Sequence, residues 1–137
     1  SCMLPESLDA MTWKIGDYGF EMTLSAAVPQ RIAESLRPWL TRWLGDHGVD
    51  LSEVDHGIIH PGGPRILGAV AEALDLPATA TAASRKVLAE YGNMSSPTVL
   101  FIAEECLQGN PQGVGVAIAF GPGLIAEAAL IRFQQPG

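Results

Sequence analysis

The chain has 137 residues, 8 basic against 15 acidic side chains, a net charge of −7 and 47% apolar residues. This length suits one compact domain, and the acidic balance excludes the basic footprint that nucleic acid or an anionic membrane surface requires. No apolar run approaches the ~18 residues of a membrane span, and residues 1–10 carry neither the basic nor the apolar region of a signal peptide.

Only 17% of the residues are charged, against about a quarter in an ordinary soluble domain, so part of the surface is expected to be covered by something else. Two cysteines, Cys2 and Cys106, form neither a disulfide framework nor a metal pattern, and a reduced, cytoplasmic setting is the default. The chain opens at Ser1 without an initiator methionine, as a segment of a longer protein would.

Residues 11–24 alternate. Met11, Trp13 and Ile15 precede Gly16-Asp17, and Tyr18, Phe20, Met22 and Leu24 follow it, which predicts a hairpin. Residues 29–47 predict a helix with Ile32, Leu36, Trp39, Leu40, Trp43 and Leu44 on one stripe. Pro38 is expected to kink or break it, because it removes a hydrogen bond and crowds the carbonyl of Glu34. A short strand at 55–60 ends in His60-Pro61-Gly62-Gly63-Pro64, with Pro64 suited to the first position of the next helix. That helix buries Ile66, Leu67, Val70 and Leu74, and a further one over 85–91 turns Val87, Leu88 and Tyr91 inward. Ser96 is the expected N-cap of a helix that begins at Pro97 and stops near Gly109. Two strands close the chain, turning at Gly121-Pro122-Gly123. Strands alternating with helices and a final hairpin predict an α/β domain with a mixed sheet and helices on its faces.

Two positions carry chemistry. His60 stands where a strand ends, the usual place for functional groups in α/β folds; it reads either as a site residue or as a turn histidine capping a helix. Asn93, within Gly92-Asn93-Met94-Ser95-Ser96, reads either as a carboxamide donor for an oxyanion or as punctuation between helices. His47 is explained by its place near a helix C-terminus, and His56 has no such context.

Taken together, His60-Pro61-Gly62-Gly63-Pro64, Glu90-Tyr91-Gly92-Asn93-Met94-Ser95-Ser96 and Phe120-Gly121-Pro122-Gly123-Leu124, in this order, closely resemble the type III polyketide synthases, the chalcone and stilbene synthase family. The resemblance covers residues 13–132. It implies the C-terminal half of a thiolase fold, a mixed sheet of about five strands, with residues 1–137 as that domain and the N-terminal half as its partner. The family's active site is Cys, His and Asn. His60 and Asn93 match the second and third, while the cysteine belongs to the first half; Cys2 stands outside any matching motif and Cys106 reads as core filling. The implied reaction is decarboxylative condensation of malonyl-coenzyme A onto an acyl-coenzyme A starter. It uses these thioesters as substrates and needs no metal or organic cofactor, in a homodimer that meets neither nucleic acid nor membrane.

The resemblance also marks Phe20 as a gatekeeper between coenzyme A tunnel and cavity, or else one more strand residue. It gives Ser95, Phe120 and Gly121 as cavity-shaping positions. Arg65 becomes a candidate for a coenzyme A phosphate, or else part of a solvated helix face. Plant members read Gly-Phe-Gly-Pro-Gly where this chain has Ala119-Phe120-Gly121-Pro122-Gly123, which bears on cavity shape.

Two other functions compete. A non-catalytic interaction module would keep the fold and pair with another chain. A ketoacyl-carrier-protein synthase half would share the His and Asn, but the Gly-Gly-Pro after His60 disfavours it. One element bears on partners: residues 96–107 are apolar nearly all round, and such a helix is expected to be buried on all sides.

Overall fold

The computed structural model describes residues 1–4, 9–17 and 19–134, without the side chains of Trp13, Phe20, Met22 and Leu24. The described elements are strand β1 (Cys2–Met3), hairpin strands β2 (Met11–Gly16) and β3 (Gly19–Leu24), helix α1 (Val28–Asp46) and strand β4 (Val54–Ile59). Helices α2 (Pro64–Leu74), α3 (Ala82–Tyr91) and α4 (Thr98–Gln108) follow, then strands β5 (Gly113–Gly121) and β6 (Ile125–Phe133). The result is the α/β domain with a mixed sheet expected from the sequence.

The sheet runs in the order β1-β6-β5-β4. β4 and β5 are parallel, and the other two pairings are antiparallel. Parallel neighbours need a long crossover, here supplied by all three of α2, α3 and α4. Four described strands stand in this sheet, not five, because β2 and β3 pair with each other. The hairpin pairs Gly16 with Gly19 at its closed end; Tyr18 lies outside the described residues. β2 packs on the turn Pro122–Leu124 that follows β5, which brings it over the end of the sheet.

Alternation along β4 sends Ile59 into one core and Ile58 into the other. The larger core holds α1 and α2 against Val116, Ile118 and Ala126 of the sheet. In α1, Val28, Ile32, Leu36, Leu40 and Leu44 are all 0% exposed, a ladder at four-residue spacing. That ladder explains why Pro38 lies inside a continuous α1 without breaking it. A mid-helix proline costs about 3 kcal/mol, whereas each of the four large side chains flanking it contributes about 1.5–3 kcal/mol by burial. Ile66, Leu67, Val70 and Leu74 of α2 are buried as the periodicity requires.

The smaller core, on the opposite face, packs Val87 of α3 and Ile102 of α4 against Ile58. Here two expectations are corrected. Tyr91 points outward, 56% exposed, with its ring on Phe101 at a centroid distance of 5.6 Å. The helix after Ser96 starts at Thr98, and no side chain caps it. α4 buries only Thr98 and Ile102, leaving Leu100, Phe101 and Leu107 exposed. Among the described residues, this all-round apolar helix is therefore covered on one side only.

Candidate active site

His60 follows directly on β4. Its backbone N–H donates to the Ile118 carbonyl at 2.8 Å, extending the β4–β5 pairing one residue past the strand. The other edge of β4 is closed by Ser84 of α3, 0% exposed: its hydroxyl accepts from the Ile59 N–H at 3.0 Å and donates to the Gly57 carbonyl at 3.2 Å. A buried strand edge must satisfy its backbone groups in some such way. The histidine is thus carried on a backbone fixed from both sides. Its ring Nε2 lies 2.9 Å from the Ser95 carbonyl. A carbonyl can only accept, so Nε2 carries the hydrogen.

Asn93 follows Gly92, which closes α3 at φ 71°, a conformation glycine adopts without strain. The Asn93 Oδ1 accepts from the Ser95 N–H at 2.9 Å. This contact settles which end of the carboxamide is which. It leaves Nδ2 with two N–H donors outside this bond, and Asn93 is among the residues that line the cavity. Ser95 itself holds φ 64°, the left-handed region that non-glycine residues seldom enter. That turn brings its carbonyl round to the imidazole.

These residues meet in a cavity of about 590 Å³. His60, Asn93, Ser95 and Ser96 provide its polar lining, and Phe120, Gly121 and Pro122 line it as well. Five of the expected site positions, His60, Asn93, Ser95, Phe120 and Gly121, are therefore brought together. The apolar floor was not anticipated as such: Met11 of β2, Val28 and Ile32 of α1, Ile66 of α2 and Val99 of α4. His60 is half-buried, and Asn93, Ser95 and Ser96 are exposed, so the cavity is open to solvent.

Phe20 stands on β3 opposite Ile15, and its side chain lies outside the described residues. Arg65 is exposed in the first turn of α2 and does not line the cavity. Cys106, late in α4, is half-buried and absent from the cavity wall, and burial pushes its thiol pKa up. A raised pKa suppresses the thiolate, the nucleophilic form. His47 donates through Nδ1 to the Trp43 carbonyl at 2.7 Å, and His56 through Nε2 to the Gln112 carbonyl at 3.0 Å; both bonds are structural. Among the described residues, no three His, Cys, Asp or Glu side chains come together as a metal site.

Comparison with solved structures defines the class first. The chain superimposes on a polyketide synthase of the brown alga Ectocarpus siliculosus with a TM-score of 0.91 and 33% identity, covering 97% of this chain and 38% of that one. It superimposes on the 1,3,6,8-tetrahydroxynaphthalene synthase of Streptomyces coelicolor, a bacterial type III polyketide synthase, with a TM-score of 0.89 and 33% identity, covering 98% and 39%. The fold is accordingly the C-terminal part of a thiolase-like fold. Residues 1–134 match the C-terminal domain of chalcone and stilbene synthases, and the chain belongs to that family. In sequence it is 36% identical to the 1,3,6,8-tetrahydroxynaphthalene synthase of Streptomyces peucetius, over 96% of this chain and 36% of the relative. It is 34% identical to the alpha-pyrone synthesis polyketide synthase-like Pks18 of Mycobacterium tuberculosis, over 95% of this chain and 34% of the relative. The chain thus spans about a third of the length of the curated relatives it matches.

Proposed function

We propose that this chain is the His- and Asn-bearing part of a type III polyketide synthase that condenses malonyl-coenzyme A onto an acyl-coenzyme A starter. One observation supports the reading: His60, whose Nε2–H donates to the Ser95 carbonyl, and Asn93, whose carboxamide keeps two Nδ2–H donors outside its bond to the Ser95 N–H, line one cavity together with apolar side chains. When a malonyl thioester loses carbon dioxide, the bonding pair of the broken C–C bond passes to the thioester and leaves an enolate. Its oxygen needs donors already in place, each worth about 3–4 kcal/mol in a dry site. An incoming oxygen competes with the Ser95 carbonyl for the His60 hydrogen. The enolate carbon then attacks an acyl thioester held on a cysteine. A new C–C bond forms, the cysteine leaves as thiolate, and the chain grows by two carbons. Once His60 has taken the proton of the cysteine thiol, the imidazolium so formed favours the thiolate. Every step is carried by thioester, carboxylate and hydrogen-bond donors, so neither metal nor organic cofactor is called for.

No cysteine lines the cavity among the described residues, so the nucleophile is assigned to an N-terminal half. That half also closes the open cavity and makes it dry. Phe20 is placed at the passage from a coenzyme A tunnel to the cavity, and Arg65, exposed beside Gly62-Gly63-Pro64, meets a coenzyme A phosphate. The complete protein is a cytoplasmic homodimer in this reading; among the described residues no helix is long and apolar enough to cross a membrane.

The test is incubation with acyl- and malonyl-coenzyme A followed by mass spectrometry. The full-length protein that supplies this chain is expected to form polyketide, and the chain by itself none. Robust product from the chain alone would overturn the assignment of roles, because the nucleophile would then lie within it.

A further inference from the structure

We infer that Thr98 is a positioning residue for the site, setting the loop 93–98 from which both His60 and Asn93 are held. This rests on the reading of those two residues given above, and its structural part can be tested without it. Thr98 is the first residue of α4 and is 0% exposed. Fully buried hydroxyls are uncommon unless they satisfy a particular partner. The partner here is the Met94 N–H, which donates to Thr98 Oγ1 at 2.8 Å. In return the Thr98 N–H donates to the Ser95 carbonyl at 3.0 Å. Between these two bonds lies Ser95, at φ 64°. A serine does not hold this conformation by its own preference. The reciprocal pair of bonds to Thr98 fixes the backbone on either side of it, and the Asn93 carboxamide adds a third bond through the Ser95 N–H.

The consequence reaches the imidazole. The Ser95 carbonyl accepts from both Thr98 N–H and His60 Nε2–H. The loop geometry that Thr98 enforces is therefore what keeps the hydrogen on Nε2 and the ring in one orientation. Removing the Thr98 hydroxyl leaves the Met94 N–H without its acceptor. The 93–95 turn relaxes, the Ser95 carbonyl leaves the imidazole, and the ring is free to exchange tautomers. The Asn93 carboxamide loses its fixed orientation in the same step.

The experiment is nitrogen-15 NMR of the histidine side chains in the chain itself, with His60 assigned through His60→Gln. The chain has three histidines. His47 and His56 bond to the Trp43 and Gln112 carbonyls, outside the loop, and serve as internal references. The parent is expected to show a slowly exchanging hydrogen on His60 Nε2. In Thr98→Val, which keeps the shape and removes the hydroxyl, that signal is expected to disappear, and the two ring nitrogens to move together as tautomers average. His47 and His56 stay unchanged. In Thr98→Ser, which keeps the hydroxyl and loses the methyl, the His60 signal is expected to return to that of the parent. Retention of the signal in Thr98→Val overturns the proposal, as does its loss in folded Thr98→Ser, since packing and not the hydroxyl would then set the ring. Should Thr98→Val not fold, Thr98→Ser decides alone in the same terms. A parent that lacks the Nε2 hydrogen also overturns it. The catalytic reading fails separately, through the decarboxylation rates of His60 and Asn93 variants.

Discussion

His60 and Asn93 are polar side chains on turns and contribute no core packing. Their replacement by alanine in the complete protein is expected to leave the melting temperature within a few degrees. Loss of one preorganised donor costs about 10²–10³-fold in rate, so malonyl-coenzyme A decarboxylation should fall by that order in each variant. Full activity in both would make them helix punctuation. Cys106 gives a second expectation at the same scale. Burial raises its thiol pKa, so the folded state favours the neutral thiol. The associated stability is present below the ordinary thiol value of about 8.5 and is lost as pH rises through the raised folded value. Alkylation of Cys106 at about pH 8.5 should therefore be several-fold slower in the native chain than in urea. Equal rates would show that the thiol is as free to ionise as in the unfolded chain.

Among the elements, the β4–β5 pair carries the site, and its far end is held by a close fit. Gly113, at φ 86°, has no room for a Cβ: one would stand 2.0 Å from Asp55 Oδ2, the atom that accepts from the Val114 N–H at 3.0 Å. Gly113→Ala combines left-handed strain with loss of that bond, and about 2 kcal/mol or more of destabilisation is expected in urea unfolding. An unchanged midpoint would show that Asp55 moves aside freely. Much at this scale was legible in the sequence. Turn residues and a functional side chain crowd into His60-Pro61-Gly62-Gly63-Pro64 and into Gly92-Asn93-Met94-Ser95-Ser96, so each motif announces a bend and what it presents. The cavity floor was not legible, because Met11, Val28 and Val99 come from distant elements and an apolar residue looks the same facing a core or a cavity. Tyr91 shares its period with Val87 and Leu88, yet its ring meets Phe101, itself 41% exposed, and stays 56% exposed. Thr98 escaped notice because its importance depends on the left-handed turn at Ser95, which no propensity foretells.

For the molecule as a whole, the low charge content finds its counterpart in an uncovered face. Tyr91, Leu100, Phe101 and Leu107 are 56%, 69%, 41% and 60% exposed, and all stand on α3 and α4. In the complete synthase the N-terminal half is the proposed cover. Handled alone, the chain is expected to pair this face with a second copy, since each large apolar side chain left in water forgoes about 1.5–3 kcal/mol. Sedimentation should show a dimer at micromolar concentration that Phe101→Glu dissociates; a monomeric parent without exposed-surface dye binding would show that the face needs no partner. The central claim is that this domain supplies the two donors for an enolate. It is tested most directly by the rate of malonyl-coenzyme A decarboxylation in the full-length protein, compared with His60→Ala, Asn93→Ala and the double variant. Two donors acting on one oxygen should give large single losses and a double loss well short of their product. Wild-type decarboxylation in the double variant would contradict it.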